Sequence, residues 1–81
     1  MMTELAAAHI AKLRADVADL RLTIATFDRA EAHYRSRPGA INVLHANAAK
    51  ANAARARAEL DVVLGEIESI IAIYDSEGTT T

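Results

Sequence analysis

Residues 10–27 read IAKLRADVADLRLTIATF, and within them Ile10, Leu13, Val17, Leu20, Ile24 and Phe27 recur at alternating spacings of three and four. A helix turns once in about 3.6 residues, so these six side chains fall on one narrow stripe. With Ile10 lettered a in a heptad, Ile10, Val17 and Ile24 occupy a while Leu13, Leu20 and Phe27 occupy d, the seam of a coiled coil. Carried outward, the lettering puts Ala6 at d, Glu31 at a and Tyr34 at d, which predicts a helix over about residues 3–35. Thr3 is its expected N-cap, with Glu4 favourably placed at the positive end of the helix dipole. Lys12, Asp16, Asp19 and Arg29 face outward, as does a lone leucine, Leu22.

Residues 36–39, Ser36-Arg37-Pro38-Gly39, hold the one interior break signal. Proline disfavours a helical conformation in the residue before it and has no N–H to donate. A turn this short favours antiparallel neighbours. The second helix is expected from Pro38 or Ala40 to about Glu77, with Gly78 as its stop and residues 78–81 as a frayed tail. Its seam has two textures: Ala46, Ala49, Ala53 and Ala56 toward the turn, then Leu60, Val63, Ile67, Ile70 and Tyr74.

In an antiparallel pair an a residue faces a d residue, and a single register satisfies every layer. It sets Tyr34 against Ala46, Glu31 against Ala49, Phe27 against Ala53 and Ile24 against Ala56. It then sets Leu20 against Leu60, Val17 against Val63, Leu13 against Ile67, Ile10 against Ile70 and Ala6 against Tyr74. Every ring meets an alanine, which is how facing positions fill space at native density. The fold class is therefore all-α, an antiparallel two-helix hairpin.

One seam does not account for all the apolar residues. Leu64 and Ile71 at e, Ile73 at g and Val62 at c widen the apolar surface of the second helix beyond a single stripe. Ala51, Ala58, Gly65 and Ala72 recur every seven residues on its outward face. Gly65 is the member that helix propensity does not explain, because glycine inside a helix costs about 1 kcal/mol against alanine. Leu64, Gly65, Ile71 and Ile73 are the candidate interface residues, and at least a dimer of hairpins, a four-helix bundle, is expected.

Composition limits the chemistry. The 81 residues include no cysteine, one proline and three glycines, so disulfides and thiolate metal sites are excluded and long helices are favoured over sheets. No signal-peptide pattern precedes the first helix. The most apolar run, from Leu60 to Tyr74, contains Asp61, Glu66 and Glu68 and is too short to span a bilayer. A cytoplasmic protein without a membrane partner is expected. There is no nucleophile elbow, glycine-rich phosphate loop, zinc-binding His-Glu-x-x-His or calcium loop, so neither enzymatic activity nor a cofactor is expected. No motif ties the chain to a known family.

Three further features carry a choice of readings. His33, His45 and Glu31 gather near the turn as conceivable metal ligands, but they lack the i, i+4 spacing of a helical site and read better as solvated polar residues. Glu31 at a core position is either a buried acid with a raised pKa or a side chain that reaches out beside Ala49 to pair with Arg35. The formal net charge is −2, and it is unevenly spread. From Arg29 to Arg57 there are six basic residues, Arg29, Arg35, Arg37, Lys50, Arg55 and Arg57, against one acid, Glu31, a net of +5. The rest has three basic and ten acidic residues, a net of −7. Local neutralisation is expected from Arg55 with Glu59, Arg57 with Asp61 and Asp28 with Lys50.

The sequence is read as a non-enzymatic, self-associating hairpin that binds another protein as adaptor, assembly factor or inhibitor. The alternative is an oligomeric binder of nucleic acid, a nucleotide or another phosphorylated ligand through the six basic residues of the turn end.

Overall fold

The structure, a computed structural model, describes the backbone of residues 2–79 and the side chains of residues 2–75. Two helices, α1 (Glu4–Arg35) and α2 (Ala40–Thr79), pack against each other as an antiparallel hairpin measuring 64 × 17 × 13 Å. Thr3 caps α1: its Oγ1 accepts from the Ala6 N–H at 3.1 Å and its carbonyl from the Ala7 N–H at 2.9 Å. The side-chain bond satisfies the Ala6 amide, which would otherwise lack a partner in the first turn, and the carbonyl accepts the first bond of the helix ladder. At the other end Ser36 closes the helix. Its N–H donates to the Ala32 carbonyl at 3.1 Å and its hydroxyl to the His33 carbonyl at 2.7 Å.

The reversal rests on Gly39, whose φ of 113° lies where a Cβ would be strained. Pro38 stays in the turn, so of the two possible starts α2 takes Ala40. The Pro38 carbonyl accepts from the Asn42 side-chain amide at 2.9 Å and the Gly39 carbonyl from the Val43 N–H at 3.2 Å. The far end of α2 runs through Gly78 to Thr79, past the stop expected at that glycine. Glycine permits a helix to end without compelling it, and no proline follows to block the next turn. Thr80 and Thr81, the rest of the expected tail, lie outside the described residues.

The buried residues are those of the seam. Ile10, Leu13 and Val17 of α1 form one cluster with Ile67 of α2, and Leu60, Val63 and Ile70 pack partly buried against it. Toward the turn the buried positions are Ala46, Ala49, Ala53 and Ala56, while Ile24, Phe27 and Tyr34 opposite them are partly buried. Among the described residues, the cluster of large buried side chains lies in the half away from the turn.

Ala53 is 1% exposed, and the register read from the sequence sets it against Phe27, whereas Ala51 is exposed. Ala53→Leu is expected to lower stability by about 1–3 kcal/mol through overpacking. Ala51→Leu should stay within about 0.5 kcal/mol of wild type. Urea unfolding of both variants distinguishes this register from one that tolerates them equally.

Candidate interaction surface

The flank of α2 divides into two sets of residues. Leu64 and Ile71, expected at the edge of the seam, are partly buried and pack against the Ile10–Leu13–Val17–Ile67 cluster of their own hairpin. Gly65 is partly buried as well, yet a Cβ built there meets nothing within 4 Å. No contact inside the hairpin requires it to be glycine. Ile73, by contrast, is 57% exposed.

Ile73 belongs to an open groove of about 510 Å³ at the end opposite the turn, lined by Thr3, Leu5, Ala6, His9, Ile70 and Tyr74 besides itself. Leu5, on its rim, is 83% exposed. Val62 precedes Ile73 by about three helical turns and so lies on the same side of α2. It is 61% exposed. Three heptads before Val62, in the same row of a supercoiled helix, stands Ile41 at 68%, with Leu44 exposed one turn further on. Seam periodicity does not single out Leu5, Ile41, Val43 and Leu44. The available signal was to continue the lettering of α2 back to the turn, which puts Ile41 and Val62 at c and Leu44 at outward f.

The basic residues of the turn end do not form one site. Arg35 donates from Nε to Glu31 at 2.7 Å and from an Nη to the Asn47 side chain at 3.1 Å, so Glu31 reaches outward as the i+4 spacing predicts. Arg57 crosses the hairpin to Asp28. That pairing replaces the expected Arg57–Asp61 and Asp28–Lys50 neighbours, because both side chains lie on the same flank of the seam and meet between the helices. Arg29, Arg37, Lys50 and Arg55 are exposed and have no ion pair among the described residues, and they point to different sides of the hairpin. His33 and His45 each pack on Tyr34, with ring centroids 5.4 and 5.0 Å apart. Among the described residues no three His, Cys, Asp or Glu side chains are placed to hold a metal ion, and no helix is long and apolar enough to cross a membrane.

No protein-family model, curated protein or solved structure matches the chain.

The two glycines make opposite predictions for the same chemical change. Gly39→Ala forces a side chain onto a positive φ and should destabilise by about 1–3 kcal/mol. Gly65→Ala should stabilise the isolated hairpin by up to about 1 kcal/mol, because it raises helix propensity in open space. Thermal unfolding of the two variants tests both; a loss at Gly65 would mean that another helix lies over that position.

Proposed function

We propose that this chain is a non-enzymatic, self-associating helical hairpin that works in the cytoplasm by binding a macromolecular partner, as adaptor, assembly factor or inhibitor. The observation that supports this most is the exposure of large aliphatic side chains, Leu5, Leu22, Ile41, Leu44, Val62 and Ile73, beside an interior that, among the described residues, has four large buried ones. The chain exposes 5850 Å². A globular monomer of its 8.7 kDa exposes about 4,700 Å², so the surplus is about 1,100 Å². A standard interface covers about 800 Å² on each partner. The elongated shape, 64 × 17 × 13 Å, accounts for such a surplus and leaves room for one partner of standard size, and the exposed aliphatic side chains favour a protein surface over a polar ligand.

Sedimentation at micromolar concentration is expected to give a mass above 8.7 kDa. Val62→Lys with Ile73→Lys should return the mass to that of one chain while helicity stays, since both side chains are exposed within the hairpin. A wild-type mass of one chain across the concentration range would refute self-association.

A second reading, recognition of nucleic acid or a phosphorylated ligand at the turn end, is supported by Arg29, Arg37, Lys50 and Arg55, cations with no ion pair among the described residues. Under it, binding to duplex DNA would weaken with salt, with a slope of roughly −0.9 in log K per phosphate contacted. The variant Arg37→Gln, Lys50→Gln, Arg55→Gln should then lose both affinity and slope without unfolding. Under the first reading, filter binding near physiological salt detects no complex.

A further inference from the structure

The open groove and the turn-end aliphatics lie at opposite ends of one side of the hairpin, and the charge on that side reverses between them. Near the turn it carries Arg55, with Arg37 in the turn itself, neither having an ion pair among the described residues; from the middle toward the groove it carries Asp19, Glu59 and Glu66, also unpaired. Asp16, close by, is shared with Lys12 at 3.6 Å. The whole chain repeats the pattern, +5 over residues 29–57 and −7 over the remainder. A second hairpin laid on this side in the same direction would set like charge on like along its length. Turned end for end, it sets the basic half of each copy on the acidic half of the other.

We propose that two copies of the chain pair antiparallel through this side, about a two-fold axis, with the Ile41 and Leu44 tip of each copy covering the Leu5–Ile73 groove of the other. This rests on the self-association proposed above and adds the surface and the direction. The two-fold geometry makes the contact self-complementary, since each copy supplies one tip and one groove. It also fits the area to be covered. A side of 64 × 17 Å has a footprint of about 1,000 Å², comparable to the surplus of exposed surface and to the share each partner buries in a standard interface. Near the middle of the side, the exposed Val62 and Leu22 provide apolar contact beside the charged groups. At physiological salt charges are screened beyond about 8 Å, so the charged groups act at the contact and select direction, while the aliphatics hold the copies together.

The sequence contains no cysteine, so Ala40→Cys, at the exposed start of α2, provides a single site for a nitroxide label. Helicity by circular dichroism and mass by sedimentation are read on the same labelled protein. The proposal expects a mass of two chains and a label-to-label distance on the order of 50 Å, because at 1.5 Å per residue the two tips lie nearly a hairpin length apart. A two-chain mass with labels closer than about 25 Å would overturn the antiparallel arrangement and leave self-association standing. A one-chain mass would overturn both, and an assembly larger than two would contradict closed two-fold pairing. Arg37→Glu with Arg55→Glu should weaken pairing at least tenfold with helicity intact; unchanged pairing would remove charge as the source of direction.

Discussion

The half of α2 near the turn buries alanine where the other half buries or half-buries large aliphatic side chains, and much of the hairpin's behaviour follows from that constraint. Ala46, Ala49, Ala53 and Ala56 are buried at no cost to helix formation. They also contribute little apolar area when buried, since hydrophobic stabilisation grows with the surface removed from water. Half of the seam thus sets geometry more than stability. The cluster of Ile10, Leu13, Val17 and Ile67 must hold most of the rest, with Leu64 and Ile71 recruited from the flank to thicken it.

Two helices packed alone can each hide one stripe, so apolar residues off the stripe remain in water. Here they are not scattered. Ile41, Val62 and Ile73 follow one another along a single side of α2, and Leu5 of α1 joins them at the groove. The polar contacts respect the division. Arg57 with Asp28 and Arg35 with Glu31 and Asn47 tie the hairpin together on the flank of the seam, whereas Arg37, Arg55, Asp19, Glu59 and Glu66 form no ion pair within the chain among the described residues.

The seam, the turn and the Thr3 cap were legible in the sequence because each is a local rule: spacing of three and four, proline before glycine, a hydroxyl ahead of a helix. The Glu31–Arg35 pair was legible for the same reason. The partner of Arg57 was not, because Asp61 at i+4 satisfies a local rule as well as Asp28 does and only the packed geometry separates them. The roles of Leu64 and Ile71 were obscured because a heptad letter gives direction but not depth; at e, a side chain can turn toward its own seam or away from it. Ile41 and Leu44 lie where the seam is made of alanine. With no large neighbours to define a stripe there, only the lettering carried back from the far half of α2 marks them as outward, and the assembled pair leaves them exposed.

Such a hairpin should draw part of its stability from association, and the most direct measure of that is the concentration dependence of thermal unfolding. Stability that depends on pairing rises with chain concentration by mass action. Over a hundredfold range of concentration the midpoint is expected to climb by about 5–10 °C for a chain of this size. A midpoint that stays fixed over that range would mean that the hairpin is stable alone and that its exposed aliphatic side is not covered by another copy.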